Sequence, residues 1–187
     1  VDLEDPRSPV RVTEPALTVP HPTALAVDWN QRPMFVAGES GEIALCRPFA
    51  RSAGGAWRMP RCAVIAVGAA LGGVLSADSE GNLIVTDPRS IWASAKLTPF
   101  GQRVVAIAVS EQSERVLVAG AEGRIRLLDG QSFATRSETE LAAPLSTASL
   151  EPRGATIAFA TVDGRMILAP DGSTARTELR SSGAPVT

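Results

Sequence analysis

The chain has 187 residues, 44% of them hydrophobic, with a formal net charge of −2, a pI of about 5.5 and a mean hydropathy of +0.09. This bulk excludes a disordered tail and removes the basic footprint of a nucleic-acid binder. No apolar run approaches the roughly 20 residues of a membrane helix, and no basic start leads into an apolar signal region. A soluble, cytoplasmic setting without nucleic-acid or membrane partners is the expectation, and richness in Ala, Arg and Gly is compatible with a bacterial source. Aromatics are 4% and tyrosine is absent, so the core must be built largely from Val, Leu, Ile and Ala. The first residue is Val, so we expect a segment of a longer protein.

Residues 1–22 read as an N-terminal segment; within it "ALTVP" (16–20) has the look of the outer strand of a preceding unit. Four units follow, over 23–60, 61–101, 102–143 and 144–181, with a short tail. Their shared phrase, "ESGEIALCR", "SEGNLIVTD", "AEGRIRLLD" and "VDGRMILAP", has Gly41, Gly81, Gly123 and Gly164 as anchors at intervals of 40, 42 and 41 residues. Fourteen residues before each anchor stands Val27, Val67, Val109 or Leu150, which reads as one ungapped repeat.

Each unit spells short strands in order. "ALAV", "VIAV", "AIAV" or "TASL" comes first, then "MFVAG", "VLSAD", "VLVAG" or "IAFAT". The anchor glycine closes the following turn, where a two-residue hairpin requires positive φ. The third strand alternates, with Ile43 and Leu45, Leu83 and Val85, Ile125 and Leu127, Met166 and Leu168 on one face. A less regular fourth strand ("AWRM", "SIWASAKL", "ATRSETEL", "TARTELR") precedes a link bearing Pro60, Pro99 or Pro144. Four strands per ~41 residues is the arithmetic of an all-β array of β-propeller blades. A helical repeat lacks its three-and-four spacing, and a β-sandwich gives no reason for a copied turn.

"VVAIAVSEQSERVLVAGAEGRIRLLD" (104–129) resembles a WD40 repeat, with "RIRLLD" where that family ends in Trp-Asp; "GNLIVTD", "GRMILAP" and "GEIALCR" are weaker versions. The resemblance spans about residues 23–180 and implies propeller blades that serve as a non-catalytic protein-interaction or sensing platform. The family's Gly-His pair is absent and the only histidine, His21, precedes the first unit, so its buried Asp-His-Ser/Thr-Trp network is incomplete here. Such propellers usually close with seven blades. Four therefore leave three solutions: a closed four-blade ring, two chains sharing an eight-blade ring, or a half-propeller completed by another polypeptide. The last two together are preferred.

Catalytic constellations are missing. One His and no CxxC give no zinc ligand set, Cys46 and Cys62 read as small packing residues, and His21 sits between two prolines as a loop residue. Gly54-Gly55 and Gly72-Gly73 lack a following Gly-Lys-Ser/Thr and read as turns. No cofactor is expected, and a hydrolase or lyase propeller is the minor alternative. The acids before the anchors, Glu80, Glu122 and Asp163, with Asp78, read as turn-stabilising caps rather than paired catalytic carboxylates. Arg124 and Arg165, at equivalent positions, and Arg126 form a candidate basic stripe for an acidic segment of a protein partner, against the plainer reading of solvated strand charges. Trp57 and Trp92 are candidate partner contacts on outer strands, with packing between blades, also open to Phe100, as the alternative; Trp29 reads as a blade cap.

Overall fold

A computed structural model describes residues 19, 21–27, 34–46, 56–58, 64–70, 73–87, 90–110, 112, 114–170 and 177–180. The segment 16–20 apart from Val19, together with Trp29, Cys62 and the glycine pair 54–55, lies outside them. Among the described residues every regular element is a strand. The first sheet is β1 (Pro22–Val27), β2 (Met34–Gly38), β3 (Glu42–Cys46) and β4 (Ala56–Arg58), and the second β5 (Val64–Ala70), β6 (Gly73–Asp78), β7 (Leu83–Asp87) and β8 (Ser90–Lys96). The third is β9 (Val104–Ser110), β10 (Arg115–Gly120), β11 (Arg124–Asp129) and β12 (Thr135–Glu140), and the fourth β13 (Leu145–Leu150), β14 (Thr156–Thr161), β15 (Arg165–Pro170) and β16 (Thr177–Arg180). Each is an antiparallel meander in chain order, so the four units are four blades.

Register refines the repeat. Val27 pairs with Met34, Val109 with Val116 and Leu150 with Ile157, but in the second blade the equivalent pair is Ala69 with Val74. Val67 instead pairs with Ser76, as Leu25 pairs with Val36. The ungapped alignment at Val67 is thus corrected: the second blade's first connection is shorter and its inner strand begins later relative to the anchor. Every inner strand opens on a register shift that skips Thr23, Ile65, Val105 or Ser146. Two of these residues use a hydroxyl there, Thr23 donating to Ala37 O (3.3 Å) and Ser146 to Ala160 O (3.1 Å).

The blades stack through their faces. Val74 and Ile84 of the second blade pack with Phe35, Ala37 and Ile43 of the first, while Leu75, Ala77, Leu83 and Val85 pack with Val104, Val116, Val118 and Leu128 of the third. On the third blade's other face Leu117, Ala119, Ile125 and Leu127 meet Leu145, Leu150, Ile157, Phe159 and Ile167. Alternation along a strand therefore sends neighbours to different interfaces, and a central strand such as β6 is buried along its whole length. The outermost strand β12 is exposed throughout. Inner strands touch in the order β1, β5, β9, β13; among the described residues β13 and β1 make no comparable contact. The blades form an open arc.

Candidate interaction rim

In a meander, the turns between second and third strands share one end of the stack with the links between blades. There Gly41, Gly81, Gly123 and Gly164 each donate N–H to the carbonyl three residues back, on Gly38, Asp78, Gly120 and Thr161, at 3.0 to 3.2 Å. All four anchors have positive φ, from 81° to 101°, whereas Glu39, Ser40, Ser79, Glu80, Ala121, Glu122, Val162 and Asp163 do not. The anchor thus closes a four-residue turn as its last, left-handed residue, which corrects the expected two-residue hairpin. The glycine is needed a second time for space. A Cβ on Gly81 would stand 2.2 Å from Gln102 O, and one on Gly123 2.2 Å from Leu141 O. Both contacts are with the link to the next blade, whose Phe100 and Leu141 donate N–H to the Gly81 and Gly123 carbonyls (2.8 and 2.9 Å).

Position three before the anchor decides how each turn is filled. Asp78, buried, accepts the Glu80 and Asn82 backbone N–H on Oδ1 (both 2.9 Å) and Asn82 Nδ2 on Oδ2 (2.8 Å). In the fourth blade Thr161 accepts the Arg165 N–H (3.0 Å) and donates to the Asp163 carboxylate. The third blade has Gly120, and Gln102 reaches in from the link so that its Oε1 accepts the Glu122 N–H (2.7 Å). A Cβ on Gly120 would lie 2.2 Å from that oxygen. Among the expected acids Asp78 is therefore the cap; Glu122 is capped through its own N–H, and exposed Glu80 meets Asn82 Nδ2 at 3.5 Å. Asp163 accepts from Arg165 Nε (2.8 Å), and the Arg165 guanidinium, then the Thr161 hydroxyl, hold its carboxyl below the usual carboxylate range.

The arginines bind the frame. Arg124 Nη1 donates to Phe100 O (2.9 Å), and its Nε lies 3.6 Å from Glu138. Arg126 is 7% exposed, with Nε on Glu138 (2.8 Å), Nη1 on Thr98 O (3.2 Å) and its guanidinium 5.1 Å from the centre of the Phe100 ring. Arg126 is consequently committed inside the chain, not displayed, which corrects its place in a basic stripe. Arg165 reaches Asp163 and, at 3.8 Å, Glu178. The side chains of Trp57, Trp92 and Cys46 lie outside the described residues; the backbones of the tryptophans lie in β4 and β8. His21 is exposed, and its carbonyl accepts the Glu39 N–H (3.1 Å).

Sequence reasoning missed Gln102 and Thr161, whereas the packing between blades that it weighed for Phe100 is what the structure shows. For the first, a glycine where a neighbouring blade has Asp, beside a polar residue in the link, was the available signal.

Comparison with solved structures settles the architecture. The chain is similar to the β-propeller domain of Myceliophteria thermophila Cps50 (Swd1), with a TM-score of 0.68 over 89% of this chain at 14% identity. The fold is that of a β-propeller. The match spans only 55% of that solved chain, so the four blades account for just over half of its length. No protein-family model and no curated protein sequence matches the chain.

Proposed function

We propose that these blades are a non-catalytic, WD40-like platform for protein binding, working in a soluble, cytoplasmic setting within a larger protein or assembly. The observation that carries this reading is the rim: four turns held in equivalent geometry by their glycines, each presenting exposed residues, among them Glu39, Glu80, Glu122 and Asp163. Rigid strands fix these positions and short loops supply the contacts, which is how a repeat scaffold recognises a partner. Arg124 and Arg165, each about a third exposed, and the outer-strand tryptophans Trp57 and Trp92 are the further proposed contacts.

The test is affinity capture from the source cells with the wild-type chain and with a variant carrying Glu80→Ala, Glu122→Ala and Arg165→Ala. A protein retained by the first and lost by the second, with unchanged circular dichroism, supports the reading. Substrate turnover by the purified chain would overturn it in favour of a propeller enzyme. A second reading, that assembly is the segment's main business, is favoured by the open arc, in which, among the described residues, β1 and β13 do not make the contact that neighbouring inner strands make.

A further inference from the structure

The two ends of the arc are not alike. Ala24 and Ala26 of β1 pack toward the second blade, so Leu25 and Val27 point away from it, in register with Val36 and Met34. This outer face of the first blade continues through Ala44. It follows the same alternation as the buried interface where Val116, Val118 and Leu128 meet the second blade. Yet Leu25 is 62% exposed, and Val27, Met34 and Val36 are only half-buried; Ala44 alone is covered. The opposite face, on the fourth blade, carries Thr147, Ser149, Ala158, Ala160, Met166 and Leu168, where the third blade has Ala106, Ala108, Leu117, Ala119, Ile125 and Leu127. Hydroxyls thus replace alanines at its inner strand, and Met166 is 40% exposed.

We propose that the outer face of the first blade is a docking face for a further propeller blade whose sequence differs from that of the fourth. It rests on the reading above that the chain belongs to a larger assembly. Desolvation argues against a second copy as occupant: seating Thr147 and Ser149 against Leu25 and Val27 would strip water from hydroxyls facing only methyl groups. The occupant presents small apolar residues from its inner strand and Leu or Ile from its third.

The test joins one blade directly ahead of Pro22, at the spacing the native link gives Leu145. One fusion carries a copy of residues 104–144, the other a copy of 145–185, so that each ends 21 residues past its anchor glycine. The probe for open apolar surface is anilinonaphthalene sulfonate. The wild-type chain binds the dye with several-fold enhanced fluorescence and Leu25→Ser removes at least half of it. Because a fused blade bares its own leading face, the fusions are read by whether Leu25→Ser still lowers the signal, which it does in the fourth-blade fusion and not in the third-blade fusion. Wild-type chain that binds no dye, an equal response of both fusions to Leu25→Ser, or a discrete dimer abolished by Leu25→Ser would each overturn the proposal. Since the wild-type dye signal and mass need no variant, poor folding of one variant leaves a decision. Loss of partner capture at the rim, with these results intact, would count against the platform alone.

Discussion

The rim turns of the second and third blades have the same backbone and different chemistry. The second is filled from within by the Asp78 carboxylate, the third from the neighbouring link by the Gln102 amide oxygen, and Gly120 exists to let it in. What the repeat preserves is an acceptor at a point in space, because the turn's N–H groups must be satisfied once buried. The residue that provides it is free to change.

The largest expected effect comes from the feature both turns share. Gly123→Ala combines a left-handed φ with a Cβ 2.2 Å from a link carbonyl, and we expect a loss of about 3 kcal/mol or more, read from the urea midpoint. Next, Asp78→Ala orphans two backbone donors and the Asn82 amide and should cost about 3 kcal/mol, against about 1 kcal/mol for Gln102→Ala, which orphans one. The comparison can be exchanged in part. Gly120→Asp alone collides with the Gln102 amide and with the Phe100 ring, whose Cε1 would stand 2.5 Å from its Cβ. Adding Gln102→Ala relieves the first contact and not the second, so the double variant should be more stable than Gly120→Asp and less stable than wild type in the same titration.

Arg126→Ala should cost about 2 kcal/mol, because it unpins Thr98 and bares Phe100, and Arg124→Ala should cost less than about 1 kcal/mol; thermal midpoints rank the two. The smallest effect is on pH. Asp129 accepts the Ser132 backbone N–H, a bond from Arg136, the Ser132 hydroxyl and the Gln131 N–H, which together hold its carboxyl well below the ordinary value of 3.8. A folded-state pKa below the unfolded one stabilises above the unfolded value, and that contribution is lost as pH falls through the folded value. Asp129→Asn should therefore flatten the fall in stability below about pH 4, measured by denaturation across an acid series.

The blades were legible because their determinants are local: alternation in the third strand and a glycine that only a left-handed turn position explains. The four anchors and Ile125 and Leu127 stood where the pattern placed them. Contacts through the links were not legible. Arg126 read as a surface charge because sequence places it on a strand face without saying that Thr98, Phe100 and Glu138 close over it. Gln102 is about twenty residues from the turn it fills, and its role follows from a neighbour's missing side chain. The shifted inner strand of the second blade escaped because a shorter loop compensates in the count while the aliphatic pattern stays intact.

The most direct test of the open arc is the distance between spin labels at Leu25 and Ser149, with both native cysteines replaced, measured by pulsed dipolar spectroscopy. An arc with β1 and β13 apart predicts a separation clearly longer than that of a control pair on neighbouring inner strands, Ser149 and Val105. A separation matching the control, about the 10 Å at which packed sheets lie plus the labels' reach, would mean that four blades close on themselves and would contradict the account.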